Sequence, residues 1–554
     1  MDLAVDGARM MRELAELARW QKLSGTPEEA ESLDFVRARM DEAGFATTLL
    51  RHDAFISLPG QARVEVDNRA LRAITHSMSR RSPPEGVTGP LVALGKGTEA
   101  DLAGQDLAGR LLLVEGIASP DVALRATRAG AAGVLHTSPH GHLHEMCISP
   151  VWGSPSAETA GMLPGVVVCT VSREEGDALR ARLARGEQPR VTLHAEVDTG
   201  WRPTPILVAD LPAPGGGPDD PFVLLTGHHD TWYFGVMDNG SANIAMIEAA
   251  RQAVAQRAQW KRGLRICFWS GHSHGRYSGS AWYADEHWAE LDRRCVAHVN
   301  IDSPGGIGAT DLTEIAAAAE LRGLAAEAVR DACGQSILGR RKGRNSDESF
   351  PGIGIPSMFG AISTQGDPTP GMRNSLGWWW HTPEDLLDKL DEGFLARDTQ
   401  VLLHAVQRLL TDAVLPLDHA AQAEELLAEL RPLHDAVGTV LDLSGAVAAA
   451  EAVREAAAAL RGRSTGLSGP AAEAVNRALM RASRALVPLD YASGDRFAHD
   501  PALPQGPWPS LAPLRALATA QGEEAVRLAR VGAVRARNRL LHALDEAGAA
   551  LRGA

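Results

Sequence analysis

His228 and Asp230 stand two residues apart in the stretch Leu224-Leu225-Thr226-Gly227-His228-His229-Asp230. The apolar run Phe222–Leu225 before them reads as a buried strand. Side chains two apart on a strand face the same way, so this imidazole and carboxylate project together from its carboxyl end. Further on, Asp238-Asn239-Gly240 precedes a helical pattern, which puts the Asp238 carboxylate at a helix N-terminus. One imidazole with two carboxylates suits a divalent metal such as zinc. The plain structural reading is a capping aspartate, a loop histidine and a solvated aspartate.

Three later segments favour the metal. Leu264–Trp269 is a second buried strand and runs into Ser270-Gly271-His272-Ser273-His274-Gly275-Arg276-Tyr277-Ser278-Gly279-Ser280. Val296–Asp302 is a third, ending on Asp302. Trp378-Trp379-Trp380-His381-Thr382-Pro383-Glu384-Asp385 places a histidine just before a helix start, with Pro383 at an early helical position.

The order His-x-Asp, Asp-Asn-Gly, Asn-x-Asp, His-Thr-Pro-x-Asp resembles the co-catalytic zinc aminopeptidase and glutamate carboxypeptidase superfamily, in its transferrin-receptor-like branch. The motifs cover the chain from its start to about residue 415, and the likeness extends more loosely to the C-terminus. The resemblance implies that His228, Asp238 and Asp302 bind a first zinc. It also implies that Asp238 bridges to a second zinc held by His381, and that the Asp230 carboxylate orients the His228 imidazole. The chain departs from the family where a Glu-Glu pair is expected, the first the general base and the second a ligand of the second zinc. Aligned on Gly275, His272 takes the base position and Ser273 the ligand position. Aligned on Gly279-Ser280, Ser273 takes the base position and His274 the ligand position. A histidine can do either task. Three outcomes stay open: His272 as base, His272 or His274 as metal ligand, or a centre with one metal. The inactive relative remains as an alternative, a dimeric receptor or binding protein like the transferrin receptors.

The elements that must position these residues follow an α/β pattern. Across residues 200–415, strands and helices alternate as in a three-layer sandwich with a mixed, mainly parallel sheet, and metal ligands at carboxyl ends of strands fit open α/β sheets. Residues 1–80 open with an amphipathic helix carrying Met10, Leu14 and Leu17, then a helix capped by Thr26 with Pro27 first. By resemblance they belong to the same catalytic domain. Residues 81–199 alternate short strands (111–114, 133–135, 166–168) with helices at 122–129 and 174–185, and resemble an inserted protease-associated domain capping the substrate entrance. Its histidines His136, His140, His142 and His144 match no standard ligand spacing and read as a polar loop at that entrance. Residues 416–554 are nearly all helical, with helices at about 420–437, 443–461, 470–486 and 521–549. This region resembles the C-terminal dimerisation bundle of the family, which implies a homodimer.

Composition bounds the rest. The 554 residues carry 55 Lys and Arg against 69 Asp and Glu, a formal charge of −14, which argues against nucleic-acid and anionic-membrane partners. No apolar run approaches the ~20 residues of a membrane span. The five scattered cysteines fit no disulfide framework or zinc ribbon, and a cytoplasmic setting is expected. The reaction expected is metal-assisted hydrolysis of a small peptide or amide, with one or two zinc ions and His272 and Asp230 as catalytic residues. His228, Asp238, Asp302, His381 and His274 are the candidate ligands. Arg276, Tyr277 and Trp380 are the candidate substrate contacts, the tryptophans favouring an apolar group.

Overall fold

The apolar runs that end in the candidate ligands form adjacent parallel strands. Phe222–His228 lies between Gly263–Trp269 and Cys295–Asp302, and Ser357–Ala361 flanks the latter. Their residues alternate between two buried faces. Val223, Leu225, Ile266 and Val299 pack under the helices Ala242–Val254 and Glu392–Thr411. Leu224, Cys267 and Trp269 pack against Tyr283, Leu291 and Phe350 on the other side. Burial on both faces is why these strands read as continuous apolar runs rather than alternating ones. The fold is thus an α/β sandwich of helices, sheet and helices. The computed structural model describes residues 5–372 and 374–554.

Two long strands, Ala46–Val66 and Val191–Leu211, join the main sheet to what lies between them. They pair antiparallel from Ala46–Asp210 to Val66–Val191, and Val191–Leu211 also pairs with Gly263–Trp269. At their far end sits a second sheet of five strands in the order Ala73–Thr75, Val167–Val171, Gly133–Thr137, Leu111–Glu115, Leu91–Ala93. Its core of Leu111, Leu113, Leu135 and Val167 is separate from the main one. The first helix, Gly7–Leu17, buries Met10, Leu14 and Leu17, and Thr26 caps the second, Pro27–Glu42, by accepting from the Glu29 amide.

Beyond residue 416 the helices are His419–Val437, Ser444–Arg463, Gly469–Tyr491, Ala512–Thr519 and Glu523–Arg552. The short helix Ala512–Thr519 lies in the stretch left between the helices expected at 470–486 and 521–549. No described helix is long and apolar enough to cross a membrane. Where the helical region meets the sandwich, Glu320 accepts the Asp418 amide through its carbonyl, while its side chain is 2% exposed with Oε1 unpartnered. Burial pushes that carboxyl up to about 8. In the unfolded chain the proton leaves near the ordinary value, so the unfolded state binds fewer protons between the two values. Stability therefore falls as pH rises through that window. Glu320→Gln is expected to remove this loss. Its stability advantage over the wild type, measured by urea unfolding, should grow between pH 5 and pH 8.5 to about 1–3 kcal/mol.

Candidate metal centre

Strand direction brings three of the expected ligands together. His228 and Asp302 end neighbouring parallel strands, so both project from the same edge, and His228 Nε2 lies 3.7 Å from Asp302 Oδ1. Asp238 arrives on the turn Val236–Ser241, ahead of the helix that starts at Ala242. It does not cap that helix, as the spacing suggested. Asp385 instead holds the turn, accepting the amides of Met237 at 2.9 Å and Asp238 at 3.0 Å. This leaves the Asp238 carboxylate to divide between two imidazoles: Oδ1 is 3.1 Å from His228 Nε2 and Oδ2 is 2.9 Å from His381 Nε2. No helix starts at Pro383; the chain passes through turns and the 3-10 turn Leu387–Lys389 before the helix at Glu392.

These residues fit a divalent ion. His228 Nε2 and Asp238 Oδ1 are buried and have no hydrogen-bond partner, the state expected of atoms shaped to coordinate. Burial by itself would lower the His228 imidazole, but the carboxylates of Asp238 and Asp302 outweigh it and raise the group well above its usual range. Burial would likewise raise Asp238, yet its two imidazoles hold it far below the usual carboxylate range. Such a field favours positive charge at this spot.

The Nδ1 atoms are all tied down. His228 Nδ1 donates to the Asp230 carbonyl at 2.8 Å, and His381 Nδ1 to the Glu145 carbonyl at 2.6 Å. Each bond fixes the tautomer that exposes an Nε2 lone pair. The role expected of Asp230 is corrected here. Its backbone orients His228, while its carboxylate turns the other way to collect the Ser24 hydroxyl at 2.6 Å and the amides of Ser273 at 2.9 Å and His272 at 3.2 Å. A carboxylate on a residue whose carbonyl already holds the ring is free to brace the neighbouring loop.

That loop brings His272 to the centre. The His272 and His228 rings stack at 3.7 Å, 10° from parallel, and donor atoms of His228, His272 and Asp302 all lie within 4.8 Å of one another. His274, the other candidate ligand in the loop, is fully buried and its Nε2 has no hydrogen-bond partner. Its Nδ1 is 2.9 Å from Ser24 Oγ, its ring packs on Trp232, and Asp230 is the single described carboxylate within 4 Å. Burial pushes it down to about 3. Ser273 lines the cleft with an unpartnered hydroxyl.

A cleft of about 320 Å³ opens over Asp238, His272, Asp302 and His381, with Arg276, Tyr277 and Trp380 in its walls. Trp380 stacks on His381 at 3.5 Å, and Tyr277 meets the His272 ring edge-on at 4.9 Å. Trp269 instead lies on the far face of the sheet, and Trp378 stacks under His142. The loop after Gly133–Thr137 grips this wall: His144 Nδ1 donates to the Trp380 carbonyl at 2.6 Å, and Glu145 bonds His381 through both its amide and its carbonyl. The residues that sequence reasoning missed are therefore supports. Asp385 stood inside the motif around His381; Asp347, Ser24 and Glu145 act from remote segments.

The fold, with the family match over the residues that build it, is that of a metallohydrolase of the co-catalytic zinc peptidase superfamily. Residues 207–406 match the family model for Peptidase family M28. It is 23% identical over 529 residues to the probable glutamate carboxypeptidase VP8 of Zea mays, covering 79% of this chain and 73% of that protein. It is 25% identical over 295 residues to the probable glutamate carboxypeptidase LAMP1 of Arabidopsis thaliana, of which it covers 42%. Among solved structures, the zinc aminopeptidase BSAP of Bacillus subtilis superposes with a TM-score of 0.58 at 20% identity, over 74% of this chain and 97% of that one. The aminopeptidase from Aneurinibacillus sp. strain AM-1 gives 0.57 at 21%, over 74% and 94%.

Proposed function

We propose that the protein hydrolyses a peptide or amide bond at a zinc centre in which His228, Asp238 and Asp302 hold the first ion and His272 is the general base. The observation that carries this reading is the Asp238 carboxylate, divided between two imidazoles whose lone pairs are turned toward it by backbone carbonyls. Zinc held there supplies a Lewis acid that polarises a carbonyl and lowers the pKa of water toward neutrality. The second position has Asp238 and His381 but a serine hydroxyl in place of the family's glutamate. A hydroxyl is a poor zinc donor, so one ion is held tightly and a second weakly.

Stacking supports the part of base for His272. Lone pairs lie in the ring plane, so two imidazoles converge on one ion only if their planes splay. Rings 10° from parallel at 3.7 Å send their lone pairs side by side instead. His272 Nε2 would lie on the flank of an ion held by His228, where it can take the proton of an attacking water and return it to the leaving amine. Arg276 and Tyr277 are read as substrate-side groups, and Trp380 with Trp232 favours a small substrate with an apolar side. The sheet between residues 81 and 199 is read as a protease-associated unit closing the entrance, and the helical region as the surface of a homodimer.

The reading is tested by elemental analysis and turnover of aminoacyl and N-acyl anilides. One zinc per chain should survive dialysis, chelator should remove zinc and turnover together, and added zinc should restore both. A protein that never takes up zinc, or whose turnover ignores the chelator, overturns it.

A further inference from the structure

The three imidazoles at the centre differ in what holds them. His228 and His381 donate Nδ1–H to backbone carbonyls, whereas His272 donates to a carboxylate, Asp347 Oδ2, at 2.7 Å. Asp347 is fully buried, and its other oxygen accepts the Ser280 hydroxyl at 2.8 Å. It sits in a two-residue turn with the preceding Ser346, both at positive φ (46° and 64°), a conformation that non-glycine residues keep only where surroundings enforce it. The enforcement is visible. Asn300 Nδ2 donates to the Ser346 carbonyl at 2.7 Å, and the Ser346 hydroxyl donates to Asp302 Oδ2 at 2.5 Å. One turn therefore touches a candidate ligand through Ser346 and the candidate base through Asp347.

Resting on the reading of His272 as base, we propose that Asp347 is its positioning residue and that the His272–Asp347 pair does the work of the family's missing base glutamate. A carbonyl partner suits a ligand, whose imidazole stays neutral. A base becomes cationic when it takes a proton, and a buried carboxylate on the opposite nitrogen both fixes the Nδ1–H tautomer and stabilises that cation. A glutamate base carries its own charge and needs no such partner; a histidine at the same position does.

The test uses the full chain labelled with ¹⁵N-histidine, its His272 signals assigned by difference from His272→Gln. In the metal-free wild type the ring should be the Nδ1–H tautomer. In Asp347→Asn, which keeps the shape of the side chain, the Nδ1–H population should fall. In the zinc-loaded protein kcat should drop by about 100-fold with KM and zinc content unchanged. An unchanged tautomer with unchanged kcat overturns the proposal, and so does loss of zinc, which would make Asp347 a support of the metal centre. If His272→Gln itself retains turnover, the base assignment fails first; if His272→Gln is silent while Asp347→Asn is fully active, the positioning role alone fails.

Discussion

Asp238→Asn is expected to empty the centre of tightly held zinc and to lower turnover by about 10³-fold or more, because the Lewis-acid contribution lost is several kcal/mol. Asparagine matches aspartate in size, and the backbone bonds from Met237 and Asp238 to Asp385 do not involve the substituted side chain. The turn should therefore keep its shape, and circular dichroism of the variant should match the wild type. What changes is charge. The carboxylate serves His228 on one oxygen and His381 on the other. A neutral amide offers one oxygen and one NH₂ group, so at most one side keeps an acceptor and the cation loses its anionic bridge. Elemental analysis after dialysis measures the outcome directly. Retention of zinc together with turnover would show that Asp238 is not the bridging ligand.

His272→Gln should behave differently: turnover falls by about 10²–10⁴-fold, the usual worth of a positioned base, while zinc content is retained. The contrast follows from ring geometry. His228 faces Asp238 and Asp302, whereas His272 lies stacked on its flank and anchored to Asp347 from behind. Glutamine keeps a polar side chain in the same space but cannot accept a proton near neutrality. The paired measurement separates the roles. Loss of a zinc equivalent in His272→Gln would make His272 a ligand, and undiminished turnover would remove it from the chemistry.

Much of the centre was legible in one dimension. His228, Asp302 and the strands that end on them follow from apolar runs of strand length closed by polar residues, since a parallel strand buried on both faces cannot be written otherwise. The motif order pointed to the superfamily, and the amphipathic spacing placed most helices of the C-terminal region. The sequence also showed that the Glu-Glu pair is missing, because an absent carboxylate needs no coordinates to be seen.

What it left open was direction. Two registers of the loop after Trp269 were compatible with the glycines, and in the packed structure His272 stacks on His228 while His274 lies against Trp232. The Asp230 carboxylate braces the Ser273 amide and the Ser24 hydroxyl, and with them the loop that carries both histidines. The same limit explains the misreading of Asp230, whose backbone oxygen and side chain act in opposite directions from a single position. It also explains Asp347, Ser24 and Glu145, whose contacts bridge 75, 206 and 236 residues of chain. Residue type and local spacing determine which groups could bind a metal, because strand periodicity is a short-range property. Which lone pair faces the ion, and which histidine is left free to move a proton, is decided by hydrogen bonds between distant segments, and those exist only once the chain has folded.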